Sequence, residues 1–83
     1  MISLKDAYRK VSSELGDIKI IEILDAGDFW VFYEEMPVVL IGHHPLAVNK
    51  SDGALWALPH PPSWTAKVRA AMETAKEVAI PDL

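Results

Sequence analysis

The sequence predicts a single α+β domain over residues 1–83, in which an N-terminal helix, a four-stranded antiparallel meander sheet and a C-terminal helix packed on one face of the sheet follow one another. Three observations predict it. Apolar residues recur at helical spacing near both ends of the chain, β-branched and aromatic runs separated by glycine-containing turns fill the middle, and 83 residues supply only one core. A chain of this size buries about 60–65% of its unfolded surface and has no material for a second core. With 51% hydrophobic and 24% charged residues, it lies outside the polar, highly charged range of disordered chains.

The first helix is predicted from about residue 4 to 15. Ser3 is placed to cap it, Asp6 completes a capping-box-like pair, and Ile2 can staple against Ala7. Leu4, Tyr8, Val11 and Leu15 recur on one helical face, and Gly16 is suited to end the helix in a left-handed conformation. Ile18 to Leu24 is a β-branched run, and the turn cluster Asp25-Ala26-Gly27-Asp28 leads into Phe29-Trp30-Val31-Phe32-Tyr33, so this stretch reads as a hairpin.

A third strand is predicted to start at Val38-Val39-Leu40-Ile41 and to run through a kink at Gly42-His43-His44-Pro45 into Leu46-Ala47-Val48. Asn49-Lys50-Ser51-Asp52-Gly53 is a turn that delivers a fourth strand, Ala54 to Leu58. Pro59-His60-Pro61-Pro62 cannot join a sheet interior and leads to Ser63, the expected cap of a last helix. Its apolar stripe is Trp64, Val68, Ala71, Met72, Ala75 and Val78, closed by Pro81. Both helices are expected on one face of the sheet, which leaves the other face or an edge for a partner.

Charge and composition exclude several function classes. Eight basic against 12 acidic residues give a net charge of -4, which argues against nucleic acid, whose binding rests on basic patches. Without cysteine there is neither a disulfide framework nor a thiolate metal site. No apolar run approaches the roughly 18 residues that span a bilayer, and the N-terminus lacks the basic-then-apolar order of a signal peptide, so no membrane partner and a cytoplasmic location are expected. Asp17, Glu22, Asp25, Asp28, Glu34 and Glu35 crowd one stretch in which Lys19 is the single base. They are expected to present a negative surface around the first hairpin.

Candidate chemistry is sparse. His43 and His44 are adjacent, and in an extended chain they point to opposite sides, so no metal site is expected from them and His60. Glu34-Glu35 lacks a second acid-base motif around it, Ser51-Asp52 and Ser12-Ser13 lack a neighbouring histidine, and the four isolated glycines form no phosphate loop. No cofactor is implied, and binding is expected rather than catalysis. Trp30, Phe32, Trp56 and Trp64 are core candidates, with Trp56 or Trp64 also suited to anchor an interface.

At Trp30, Gly42, Pro45, Leu46, Val48, Asn49, Lys50 and Gly53 the chain resembles the bacterial immunity protein 35 (YrhB-like) family, with its early-strand tryptophan, Gly-x-x-Pro step and Asn-Lys-x-x-Gly turn. The resemblance covers roughly residues 3–58 and leaves the last helix unaccounted for. It implies a protein that neutralises a cognate toxin, in several cases a papain-like peptidase, by binding it.

The partner-binding residues expected on this reading are Asp25, Asp28, Glu34, Glu35, His43, His44 and Trp56, with an acidic surface meeting a basic one. A small-molecule or minor enzymatic domain is the second reading, with a pocket of a few hundred Å³ near Trp30, Trp56 and His44. A homodimer paired through strand edges or apolar faces is the third.

Overall fold

A computed structural model describes residues 1–35 and 45–82 of the chain. Helix α1 (Leu4–Leu15) is followed by strands β1 (Ile20–Asp25), β2 (Phe29–Glu34), β3 (Leu46–Asn49) and β4 (Leu55–Ala57), a short 3-10 turn at Pro61–Ser63, helix α2 (Ala66–Glu73) and strand β5 (Lys76–Val78). The five strands form one sheet in the order β4-β3-β2-β1-β5, and every neighbouring pair is antiparallel.

The start of α1 follows the sequence signals. The Asp6 N–H donates to Ser3 Oγ at 3.1 Å, which satisfies one of the amides that a helix start leaves without a partner. At the other end Gly16 takes φ 66° and its N–H returns to the Ser12 carbonyl. The first hairpin is built as expected around a turn at residues 25–28, with Asp25 opposite Trp30 and Ile23 opposite Phe32.

A register shift between Ile20 and Glu22 marks a bulge in β1. Ile20 and Ile23, three positions apart, both lie buried on the α1 side while Ile21 is left 53% exposed, because an extra residue in one strand breaks the alternation of faces. The part of the expected third strand at residues 38–44 lies outside the described residues, and β3 begins at Leu46.

The C-terminal third departs from expectation in three ways. Ser63 does not cap α2: Pro61 and Pro62, with φ fixed by their rings, open the 3-10 turn that contains it. Thr65 caps the helix instead, its Oγ1 accepting the Val68 N–H at 3.2 Å. The helix then stops at Glu73 rather than continuing to Val78. Lys76, Glu77 and Val78 pair with Asp25, Leu24 and Ile23 as a fifth strand, which gives backbone partners to the edge of β1.

The two helices also lie on opposite faces of the sheet. Strand β2 is apolar on both sides: Trp30 and Phe32 pack with Ala7, Val11, Ile20, Ile23 and Val48 beneath α1. Phe29 and Val31 pack with Ala26, Ala47 and Leu58 beneath Trp64, Val68, Ala71 and Met72. Successive residues of a strand point to opposite faces, so a run such as Phe29 to Tyr33 needs cover on both. Val68 and Met72 therefore belong to a second cluster rather than to the core around Val11. The architecture is three layers, helix, sheet and helix, and a bare sheet face for a partner is not part of it.

Candidate functional site

The antiparallel ladder brings the turn after β1 (residues 25–28) and the turn after β3 (residues 50–53) to the same end of the sheet. Lys50 ties them together. Its N–H donates to the Asp28 carbonyl at 3.0 Å and its own carbonyl accepts the Ile2 N–H at 2.9 Å. Its ammonium donates to Asp25 Oδ1 at 2.7 Å and lies 4.8 Å from the centroid of the Trp30 ring, within reach of a cation–π attraction. Asp25 also accepts the Gly27 N–H at 3.0 Å. The Lys50 hydrogen bond first, then that of Gly27, hold the Asp25 carboxyl below its ordinary value of 3.8, against the smaller opposing effect of burial, and the Lys50 charge adds to the lowering.

Gly53 closes the second turn. It takes φ 73° with its neighbours packed around it, and its carbonyl accepts the Lys10 ammonium from α1. Trp30, Lys50 and Gly53 thus have local structural roles at this end of the sheet.

Beside these turns runs a groove of about 840 Å³. Phe29, Trp56 and Val68 form its apolar side against α2, and Asp28, Asn49 and Lys67 also line it. Phe29 and Trp56 meet edge to face with centroids 5.1 Å apart. The Trp56 indole N–H donates to Asn49 Oδ1 at 2.8 Å, which fixes the ring while leaving it partly exposed. Lys67 and Asp28 face each other at 3.9 Å, both more than three-quarters exposed, so water screens them and little energy ties them together.

The residues expected to bind a partner are not brought together as one surface. Asp25, Asp28 and Trp56 share the groove end, where the first is tied to Lys50 and the second faces Lys67. Glu34 and Glu35 lie toward the opposite end: Glu34 pairs with Ile20, five residues from Asp25, and at about 3.3 Å per residue the separation along the strand is roughly 17 Å. Glu34 is only 7% exposed, which removes it from the expected negative rim, because it shares the α1 side of β2 with Trp30 and Phe32. Glu35 is exposed, its N–H donating to the Lys19 carbonyl at 2.7 Å. His43 and His44 lie outside the described residues.

Trp30, expected beside a pocket, is instead buried under α1 with Lys50 over its ring. The missed signals were Asn49 and Lys67: a hydrogen-bonding residue at the end of a strand, and a helix lysine opposite a hairpin acid, are common enough to carry no distinct mark.

Among the described residues no three His, Asp or Glu side chains converge as a metal site, and no helix is long and apolar enough to cross a membrane. Comparison with family models, with curated proteins and with solved structures returns no match. Fold and groove together define a small α+β domain whose sheet is covered on both faces and which carries a groove between its hairpin turns and α2.

Proposed function

We propose that this chain is an intracellular binding protein of the immunity type, which neutralises a cognate toxin by occluding it. The observation that carries the binding reading is the groove lined by Phe29 and a partly exposed Trp56. A rigid aromatic in a concave surface that polar groups also line is the kind of feature that anchors protein interfaces. With both sheet faces covered, the hairpin end and the strand edges are the parts of the sheet open to a partner among the described residues. The immunity class itself comes from the sequence resemblance, and so does the expectation that the toxin is a papain-like peptidase.

Within this reading Trp56 is the anchor and Asp28 the charge that tunes encounter, while Glu35, at the far end of the sheet, is a bystander. The test is co-expression with the product of the adjacent gene, followed by binding kinetics at two ionic strengths. Trp56→Ala should weaken binding at least about tenfold, Asp28→Asn should slow association chiefly at low salt, and Glu35→Gln should leave both unchanged. A neighbour that is neither toxic nor bound removes the immunity reading.

The groove's volume favours a second reading. About 840 Å³ falls within the roughly 300–1,000 Å³ of small-molecule sites, so a ligand with an apolar body seated on Trp56 would also fit. Quenching of tryptophan fluorescence that saturates with a small molecule, and is lost in Trp56→Phe, would favour it over a protein partner.

A further inference from the structure

The two edges of the sheet are unequally guarded. Strand β5, at one edge, presents exposed Lys76 and Glu77, and charges on an edge strand discourage pairing with another chain. Strand β4, at the other, is Leu55-Trp56-Ala57 and carries no charge.

Its hydrogen-bonding side can be read from the ladder. The Asn49 N–H donates to the Ala54 carbonyl at 2.9 Å and the Leu58 N–H to the Pro45 carbonyl at 2.8 Å, with Ala47 opposite Trp56 between them. In an antiparallel pair, bonded positions alternate with positions whose N–H and C=O point away. Leu55 and Ala57 are those positions, and among the described residues nothing pairs with them. The next outward positions are already used: the Gly53 N–H donates to the Asn49 carbonyl and its own carbonyl accepts the Lys10 ammonium, while Pro59 has no N–H and its carbonyl accepts the Trp64 indole N–H, so the open groups are those of the two residues that flank Trp56.

We propose that this edge pairs with the same edge of a second copy, antiparallel, across a two-fold axis through Trp56. The arrangement is self-complementary, as such an axis requires. Leu55 of each chain falls opposite Ala57 of the other as a bonded pair, which satisfies all four outward groups on each side. Trp56 falls opposite its own symmetry mate at a non-bonded position, where side chains approach most closely. The two indoles then meet on the α2 face of a continuous ten-stranded sheet, each extending the apolar side of the other's groove. On the α1 face Leu55, partly buried against Val48, gains the exposed Ala57 of the second copy. The inference concerns the free protein and does not rest on toxin binding.

Light scattering or sedimentation across a concentration series tests it, and the mass should rise from that of one chain to that of two. Ala57→Pro removes an outward N–H without touching the β3 ladder. It should move the transition to at least about tenfold higher concentration while the melting temperature of the dilute protein stays within a few degrees of the parent.

The register is tested separately and does not depend on that variant folding. The chain has no cysteine, so an equimolar mixture of Leu55→Cys and Ala57→Cys chains should cross-link on mild oxidation, because those positions face each other with Cα atoms about 5.5 Å apart. Either variant alone should cross-link far less. A mass that stays at one chain up to millimolar concentration overturns the proposal. So does Ala57→Pro that folds and associates like the parent, or cross-linking no greater in the mixture than in the separate variants. A monomer in which Ala57→Pro weakens binding of the adjacent gene's product assigns the edge to that partner and likewise overturns self-pairing.

Discussion

The Lys50 ammonium lies 2.7 Å from Asp25 Oδ1, and that contact joins the turn after β1 to the turn after β3 across 25 positions of sequence. Lys50 is only 17% exposed and Asp25 41%, so the pair is half sheltered, and the Trp30 ring beneath the ammonium adds a second attraction.

Lys50→Met should therefore cost about 1–2 kcal/mol of stability, the sum of a partly screened ion pair and a cation–π contact. Asp25→Asn should cost less, because the Lys50 amine keeps the ring. Urea melts of the two single variants and the double variant isolate the coupling, which should be of the order of 0.5–1 kcal/mol. A coupling of zero would mean that the contact holds no energy.

The same carboxylate sets a pH dependence. The folded protein holds Asp25 below its ordinary value of 3.8, so the unfolded chain binds its proton first as pH falls. The stabilisation is full above the unfolded value and is lost as pH falls through the lower, folded one. The stability difference between parent and Asp25→Asn should accordingly be constant near neutrality and shrink below about pH 3.8, as read from denaturant melts taken at steps of pH.

Two turn glycines separate backbone conformation from packing. Gly27 and Gly53 take φ 85° and 73°, a region that costs a residue with a Cβ roughly 1–2 kcal/mol. A Cβ at Gly27 would meet nothing within 4 Å, whereas one at Gly53 would come within 3.3 Å of Ile2 Cδ1. Gly27→Ala should show the backbone cost alone, and Gly53→Ala should exceed it in calorimetric melting, because Ile2 must give way.

The bulge in β1 makes neighbouring isoleucines unequal. Ile23 is fully buried while Ile21 is 53% exposed. Ile23→Ala should cost about 2–5 kcal/mol, and Ile21→Thr should fall within about 0.5 kcal/mol of the parent, as exposed positions do. Val11→Asp, which places an unpaired carboxylate in the α1 cluster, should leave the chain unfolded by circular dichroism, since several kcal/mol is comparable to the whole stability of so small a domain.

Much of this fold is local and could be read without coordinates. Ser3, Gly16 and the Leu4, Tyr8, Val11, Leu15 stripe mark α1 because caps and helical spacing act within a few residues. Asp25 to Asp28 and Asn49 to Gly53 mark the turns for the same reason. At the candidate site, Asp25 and Asp28 were legible as acids of the hairpin surface and Trp56 as a core candidate that could also anchor an interface, whereas the groove that gathers Trp56 and Asp28 beside Lys67 was not.

What the chain's pattern left undecided depends on long-range pairing. Lys76-Glu77-Val78 continues the apolar spacing of α2, and its conversion to a strand comes from the open edge of β1, which offers ladder partners that the helix end cannot. Both helices were expected on one face of the sheet, but the apolar run Phe29 to Tyr33 has side chains on both faces of β2, and which helix covers which face is set only when the chain closes on itself. Sequence neighbourhood likewise placed Glu34 with Asp25 and Asp28, but a strand carries its residues about 3.3 Å apart and turns alternate ones inward. Distance along β2 and the parity of the pleat therefore separate charges that are close in the chain, and the turns bring Lys50 to Asp25 from far away.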